Sequence, residues 1–247
     1  MSKFKQQLHH LFVHFPNIGR LGYTFYDFIF VDHELRKFLR NLQNKGFSPG
    51  TILDIGANRG AWSKNVLPIF PEAEYHLIEP QLEMEPFLQH FCLGKNCSYS
   101  LACAGPQEGE ADLGMYSDFT GSSILVTKDE KREFRTVPVI AVDYLVESNR
   151  ICEPSIIKLD VQGYELEALK GSLKSLGKCE LIIMEVSTFE FRPGTPLLAD
   201  VIEFMKNIDF VVYEFLNIKK RPFDGVLGQL DIAFVKTESE FRNSQEW

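Results

Sequence analysis

One acidic residue followed by two glycines is the feature of this chain that most directly suggests a ligand-binding site. It lies in the run Thr51-Ile-Leu-Asp-Ile-Gly-Ala-Asn-Arg-Gly60. The apolar start of the run predicts a buried strand, and the residues after Gly60 predict a helix. The glycines in the turn between strand and helix let the backbone approach a ligand closely. The carboxylate of Asp54 could hold a cationic group of that ligand.

The spacing of the glycines argues against a nucleotide held through its phosphates. The turn lacks the G-x-G-x-x-G spacing that places a pyrophosphate on a helix N-terminus, and it lacks the Gly-Lys-Ser/Thr ending of a P-loop. A short turn preceded by an acid suits a ligand that carries an amino-acid group and no phosphate. We therefore expect a ligand of the kind exemplified by S-adenosylmethionine.

A second acid, Glu79, ends the predicted strand in His76-Leu-Ile-Glu-Pro80. A carboxylate at this place in a nucleotide-binding sheet can accept hydrogen bonds from both ribose hydroxyls. The alternative is a surface acid that precedes a loop proline. The apolar strand before Glu79 favours ribose binding, which agrees with an adenosine-containing cofactor.

A third set of acids surrounds the segment Ile156-Ile-Lys-Leu-Asp-Val-Gln-Gly-Tyr-Glu-Leu-Glu-Ala-Leu-Lys-Gly171. It predicts a strand that delivers Asp160 to its carboxyl end, a glycine turn, and a helix with Glu165 in its first turn. Glu185 stands near the end of the predicted strand Leu181-Ile-Ile-Met-Glu-Val186. Since parallel strands end at one edge of a sheet, we expect Asp160 and Glu185 to lie side by side in the cleft beside the first turn.

The elements that would position these acids alternate between strand and helix. The predicted strands span 51–56, 74–79, 98–103, 155–161, 180–187, 210–216 and 229–235. The predicted helices span 61–69, 82–91, 164–175 and 196–207. The link between the last two strands is too short for a helix, so these strands should pair antiparallel. This alternation predicts a doubly wound α/β sheet that is mostly parallel and carries an antiparallel C-terminal strand.

The remaining segments frame this predicted domain, residues 51–236. Residues 1–50 predict a helical extension that is rich in aromatic side chains, and residues 237–247 read as a polar tail. An insertion at about 105–140 contains two alternating stretches, which predict a hairpin-like addition near the sheet edge.

The composition limits the classes of partner and location. The net charge of −8 argues against a nucleic-acid partner, since phosphate binding requires a clustered basic face. The basic cluster Lys219-Lys220-Arg221 could be a solvated loop or could contact a substrate. Five cysteines without a Cys-x-x-Cys pair predict reduced thiols, with neither a disulfide framework nor a zinc site. No apolar run has the length of a transmembrane segment, and the start does not resemble a signal peptide, so we expect a cytoplasmic protein.

Taken together, four of these motifs resemble those of the FkbM-type methyltransferases over roughly residues 50–236. They are Asp-Ile-Gly-Ala-Asn-Arg-Gly, Ile-Glu-Pro, Lys-Leu-Asp-Val-Gln-Gly-Tyr-Glu-Leu-Glu-Ala-Leu-Lys-Gly and Ile-Met-Glu-Val. The insertion adds Phe119-Thr-Gly-Ser-Ser-Ile124, where that family carries a Ser-Ser loop. Gln162 and Tyr164 depart from the family pattern, which has a second acid and a small residue there.

The resemblance implies a class I, Rossmann-like methyltransferase fold that uses S-adenosylmethionine to methylate a hydroxyl, often on a sugar or another natural product. The expected cofactor-binding residues are Asp54, Gly56, Ala57, Asn58, Gly60, Glu79, Pro80 and Ala102, and the expected substrate-binding residues are Ser122 and Ser123. An aliphatic hydroxyl must lose its proton near the transition state, which requires a positioned base. Asp160 is the first candidate, with Glu185 or Glu165 as its partner. Alternatively, Asp160 and Glu185 could hold a divalent metal ion, and Glu165 could simply cap its own helix.

Two other functions remain open from the residues alone. One is a nicotinamide-dependent oxidoreductase on a related sheet, although the glycine spacing and the antiparallel ending count against it. The other is a non-catalytic protein that binds a cofactor or a partner. The expected partner is a small-molecule or glycan acceptor.

Overall fold

The computed structural model describes residues 32–116, 121–125 and 133–244. The strands in this part of the chain are β1 Thr51–Ile55, β2 Glu74–Ile78, β3 Cys97–Ser100, β4 Cys103–Ala104, β5 Gly109–Gly114, β6 Phe134–Ile140, β7 Ile156–Leu159, β8 Leu181–Ser187, β9 Phe210–Lys220 and β10 Leu227–Lys236. The α-helices are α1 His33–Asn44, α2 Ala61–Val66, α3 Glu85–Cys92, α4 Val142–Glu147, α5 Glu165–Lys170 and α6 Leu198–Asn207. Short 3-10 turns cover Leu82–Met84, Leu173–Lys178 and Glu240–Arg242.

Seven strands form the central sheet in the order β3-β2-β1-β7-β8-β10-β9. Strands β3, β2, β1, β7 and β8 pair in parallel, whereas β10 is antiparallel to both β8 and β9. The chain builds outward from β1 in one direction and from β7 in the other, so the sheet has a switch point between these two strands. A crevice opens at such a point, at the carboxyl ends of the strands. The predicted doubly wound sheet with an antiparallel C-terminal pair is confirmed.

The central strands are apolar on both faces because helices cover both faces. In β1, Leu53 and Ile55 point into the hydrophobic cluster that includes residues of α4, α5 and α6, while Ile52 points into the opposite cluster. This alternation follows from the two-residue period of a strand. The opposite cluster also contains Leu35 and Leu39 of α1, so this helix packs on the sheet. Residues 1–31 of the predicted N-terminal extension lie outside the described residues, and its boundary at residue 50 stays a prediction.

The segment between residues 97 and 140 differs most from the sequence-based expectation. The predicted strand 98–103 divides into β3, which joins the central sheet, and β4, which joins a second sheet of order β4-β6-β5. Strands β5 and β6 pair antiparallel, as expected for a hairpin-like insertion. Helix α4, Val142–Glu147, was not predicted from the sequence.

The expectation of five reduced thiols is wrong for two cysteines. Cys92, at the end of α3, and Cys97, at the start of β3, form a disulfide. The short turn between helix and strand places their Cα atoms 4.8 Å apart, within the range for a disulfide. The other three cysteines are free. In the described part of the chain, no helix has the length and apolarity that a membrane span needs.

Candidate active site

The turn after β1 is held tightly between the ends of β2 and β7. The amides of Gly56 and Ala57 donate to the carbonyl oxygen of Ile78, at 2.9 and 3.1 Å. Gly56 has φ +73°, and a Cβ atom placed on it would lie 2.0 Å from the carbonyl oxygen of Asp160. Glycine is therefore required here for both its conformation and its lack of a side chain. The result is bare backbone at the switch point of the sheet.

Asp54 lies beneath this turn and is fully buried. The hydroxyl of Ser63 donates to its Oδ2 at 2.6 Å, and the ammonium nitrogen of Lys158 lies 3.1 Å from its Oδ1. Lys158 also donates to the carbonyl oxygen of Gly56 at 2.9 Å. Burial alone lowers the pKa of Lys158, but the charges of Asp54 and Asp160 outweigh it and raise that pKa. The cation that Asp54 holds is thus internal to the protein, and Asp54 supports the turn from below.

A cavity of about 240 Å³ opens above the turn. The predicted site residues Gly56, Asn58, Glu79, Pro80, Ala102, Ser122, Ser123 and Asp160 all line it. Its apolar lining includes Ile78, Ala102 and Leu113, which suits a flat heterocycle. Asp54 and Gly60 do not line it. Gly60 instead forms the N-cap of α2, with φ +73°.

Glu79 presents its carboxylate to this cavity although its residue is only 3% exposed. Oε2 accepts a hydrogen bond from the backbone amide of Asn58 at 2.8 Å, and Oε1 accepts two from Gln81, both at 3.0 Å. Burial raises the pKa of Glu79, and these hydrogen bonds oppose that increase. The side chain is therefore fixed in place, and carboxylate oxygens with several acceptor sites remain available to hydroxyl groups of a ligand.

The Ser-Ser segment of the insertion closes the same cavity. The hydroxyl of Ser122 donates to Gln81 Oε1 at 3.2 Å, and that of Ser123 donates to the carbonyl oxygen of Gln162 at 2.9 Å. These bonds connect the second sheet to the ends of β2 and β7. Ser122 and Ser123, which the resemblance assigned to the substrate, therefore stand beside Glu79.

A second cavity, of about 310 Å³, adjoins the first one. Both cavities are lined by Gly56, Asn58 and Asp160, and Ala57 lines the second. Lys158, Glu185 and Asp231 supply charged groups to the second cavity. Asp160 is the acid among these shared residues, so it lies where the two cavities meet.

Asp160 and Glu185 lie next to each other, as the sequence predicts. The side-chain amide of Gln162 joins them, since its Nε2 donates to Asp160 Oδ1 at 2.9 Å and to Glu185 Oε2 at 3.1 Å. Gln162 adopts a left-handed backbone conformation with φ 59°, which is uncommon for a residue with a side chain. Its Oε1 accepts a hydrogen bond from Arg192 at 3.1 Å. Strained backbone of this kind is often found at functional sites.

Burial and neighbouring charge raise the pKa of Glu185 to about 7. The largest cause is burial, the charge of Asp160 adds to it, and an ion pair with Lys219 opposes it. Gln229 also donates to Glu185 Oε2, at 3.0 Å. A carboxylate with a pKa near neutrality is suited to accept and release protons at physiological pH.

Sequence reasoning missed Asp231, and it named Lys219 only as part of a basic cluster that could contact a substrate. Asp231 lies directly opposite Glu185 in the antiparallel pairing of β10 with β8. Burial, and next the charge of Asp160, raise its pKa to about 6, while Lys219 opposes the change. An acid within the apolar strand Gln229-Leu-Asp-Ile-Ala-Phe-Val235 was a visible signal. The strand register that places Asp231 opposite Glu185 could not be read from the sequence.

Glu165 does not reach either cavity. Its carboxylate accepts hydrogen bonds from the amide of Val161 at 2.9 Å and from the amide of Gly163 at 3.0 and 3.1 Å. Burial raises its pKa to about 7. These amides belong to the turn before α5, so Glu165 fixes the turn that carries Gln162.

The structure gives no support to the alternative of a metal centre. Among residues 32–116, 121–125 and 133–244, no group of three or more His, Cys, Asp or Glu side chains is arranged to hold a metal ion. The charge of Glu185 is instead balanced by Lys219, and the space between Glu185 and Asp160 is bridged by the amide of Gln162.

Comparison with known proteins adds a family and several relatives. A family model described as "Methyltransferase FkbM domain" matches residues 54–212. A hexuronic acid methyltransferase, AglP of Haloferax volcanii, is 41% identical over 84 residues, which are 31% of this chain and 35% of AglP. The match thus spans about a third of the relative's length.

Two solved structures illustrate the likeness in fold. Magnesium protoporphyrin IX methyltransferase (ChlM) from Synechocystis PCC 6803 is 10% identical, with a TM-score of 0.47 over 89% of this chain and 85% of that one. A Burkholderia thailandensis 1,6-didemethyltoxoflavin-N1-methyltransferase is 13% identical, with a TM-score of 0.45 over 96% and 90% of the two chains.

Proposed function

The chain belongs to the FkbM methyltransferase family, and from this premise we propose that it transfers a methyl group from S-adenosylmethionine to a hydroxyl group of a sugar. One observation carries the proposal. A cavity with the buried acid Glu79 and a cavity with the acids Glu185 and Asp231 meet at bare backbone and at Asp160. Cofactor and acceptor bound in adjoining cavities would have their reacting atoms close together.

The residues of the first cavity fit the cofactor. Glu79 would accept hydrogen bonds from the ribose hydroxyls, and the apolar wall would contact the adenine. The backbone of the turn after β1 would approach the amino-acid end, and the Asp54–Lys158 pair would hold that turn in place. When bound, S-adenosylmethionine supplies an electrophilic methyl group.

The second cavity would bind the acceptor. Asp160 would orient the hydroxyl and accept its proton at a carboxylate oxygen. Glu185 would act as the partner of Asp160, because the side-chain amide of Gln162 donates to both carboxylates and holds them next to each other. Ser122 and Ser123 would cover the site and exclude water from it. The acceptor class is suggested by AglP, whose name states that it methylates a hexuronic acid.

The oxidoreductase alternative is set aside, because the matching family is a methyltransferase family. A non-catalytic protein is the remaining alternative, and a turnover assay separates it from the enzyme. Radiolabelled S-adenosylmethionine and a panel of sugars would be incubated with the protein, and the label on each sugar measured.

Asp160→Asn is the decisive variant in this assay. We expect its rate of methyl transfer to fall by roughly 10²–10⁴, the usual contribution of a positioned base, while cofactor affinity is retained. Asp112→Asn, on the second sheet, is the matched control and should keep the native rate. Transfer by Asp160→Asn at the native rate would show that Asp160 is not the base.

A further inference from the structure

A groove of about 460 Å³ lies directly beside the proposed acceptor cavity. The turn between β9 and β10 and the segment after β8 form its walls. It shares Lys219 with the second cavity and Gln162 with the first, so it is continuous with the acid pair. Its lining is rich in cationic and aromatic side chains, although the whole chain has a net charge of −8.

Two cations of the groove have no acidic partner within the described residues. Arg192 uses its Nη2 to donate to the carbonyl oxygen of Gly121 and to Gln162, both at 3.1 Å, while its Nε is buried without a hydrogen-bond partner. Lys220 is exposed at the end of β9. Neither positive charge is balanced by an acid in the described part of the chain, so both side chains can bind an anion from outside it.

The other two cations are already neutralised. Lys219 pairs with Glu185, and Arg221 pairs with Asp224. The guanidinium of Arg221 lies 3.8 Å from the ring centre of Phe189 and 5.9 Å from that of Phe223. These contacts set the shape of the turn, and the groove's uncompensated charge stays with Arg192 and Lys220.

Two aromatic side chains of the groove are exposed to solvent. Phe223 is 91% exposed and Phe191 is 46% exposed. Large exposed apolar side chains near a cleft commonly mark a binding surface. The apolar face of a sugar ring can cover such an aromatic ring, while its hydroxyls remain in water.

We propose that the acceptor extends from the second cavity into this groove and is a sugar that bears an anionic group. Arg192 and Lys220 contact the anion, Phe223 and Phe191 contact the ring, and a hydroxyl points past Gln162 to Asp160. The inference rests on the proposed function for the identity of the neighbouring cavities. It goes further by naming the residues of this chain that select an anionic acceptor.

The test measures sugar binding by calorimetry at low salt, with the protein saturated with S-adenosylhomocysteine. The probes are the methyl glycosides of glucose and glucuronic acid, and glucose 6-phosphate. We expect at least one acidic sugar to bind roughly tenfold more tightly than the neutral glycoside, because hydrogen bonds to charged groups are strong. Tighter binding of the glucuronic acid glycoside would identify the anion as a carboxylate, and tighter binding of glucose 6-phosphate would identify it as a phosphate.

Variants that remove one positive charge test whether the groove causes the preference for acidic sugars. In Lys220→Gln and in Arg192→Gln the ratio of acidic to neutral affinity should fall several-fold, and Arg192→Lys should retain part of it. Lys206→Gln, on an exposed face of α6, is the matched control. Equal affinity for acidic and neutral sugars, no binding of any probe, or an unchanged ratio in both Gln variants would overturn the inference. Failure to bind S-adenosylhomocysteine would instead count against the proposed function, and the sugar preference would still be measured without it.

Discussion

Replacing Lys158 by Met should destabilise the protein far more than replacing a surface lysine. Asp54 is fully buried, and Lys158 is the cation that balances it at 3.1 Å. Without Lys158, the hydrogen bond from Ser63 at 2.6 Å remains, but the carboxylate is left as an uncompensated buried charge. Removing one partner of such a buried pair typically costs about 3–5 kcal/mol in the free energy of unfolding.

A matched control and a double variant separate charge from packing. The pair Lys174–Glu147 has a similar distance, 3.1 Å, but its side chains are 77% and 61% exposed. Lys174→Met should therefore cost far less than Lys158→Met in the free energy of unfolding. The combination of Lys158→Met with Asp54→Leu removes both buried charges, so it should be considerably more stable than Lys158→Met alone.

Urea unfolding, followed by circular dichroism, measures all of these variants. Lys158→Met should also bind S-adenosylhomocysteine more weakly, because Lys158 holds the carbonyl group of Gly56. The reasoning would be refuted if Lys158→Met cost no more than Lys174→Met, or if the double variant were less stable than Lys158→Met.

Three further predictions concern the turn and the buried acids. Gly56→Ala should lower the free energy of unfolding by more than the roughly 1–3 kcal/mol typical of backbone strain. The reason is that the alanine Cβ would lie 2.0 Å from a carbonyl oxygen. A urea midpoint equal to that of wild type would contradict this. Since the pKa of Glu185 is raised to about 7, kcat/KM should increase from about pH 6 to pH 8, and Glu185→Gln should remove that increase. The pKa of Glu165 is also about 7, so the folded state retains a proton that the unfolded state loses above its ordinary pKa of about 4.3. Its contribution to stability should therefore be complete below that value and disappear as the pH increases through 7. Glu165→Gln should reduce this dependence, measured as the urea midpoint from pH 4 to 8.

The fold and most cavity-lining acids were predictable because they depend on local patterns. Short apolar runs alternating with helical patterns determined the parallel strands, and each of Asp54, Glu79, Asp160 and Glu185 lies near the end of such a run. Parallel strands bring their ends to one edge, so the meeting of Asp160 with Glu185 follows from topology alone. The antiparallel pairing of β9 with β10 followed in the same way from the short link.

The remaining features depend on register and on partners distant in sequence. Asp231 faces Glu185 because of one particular antiparallel register, and no local pattern sets that register. The sequence placed Asp54 at the right turn, but only the structure shows that Lys158 lies against it. The disulfide between Cys92 and Cys97 was missed because it depends on the turn between α3 and β3, which the spacing of the cysteines does not reveal. The separation of β4 from β3 depends on pairing with the insertion.

Calorimetric titration of S-adenosylhomocysteine into wild type and Glu79→Gln tests the central claim most directly. Glutamine keeps the size of the side chain but removes the charge that would accept from two ribose hydroxyls. We predict saturable binding to wild type and roughly 10- to 100-fold weaker binding to Glu79→Gln, with the affinity of the surface variant Glu83→Gln unchanged. If wild type does not bind S-adenosylhomocysteine, or if Glu79→Gln binds it as tightly as wild type, the first cavity is not the cofactor site.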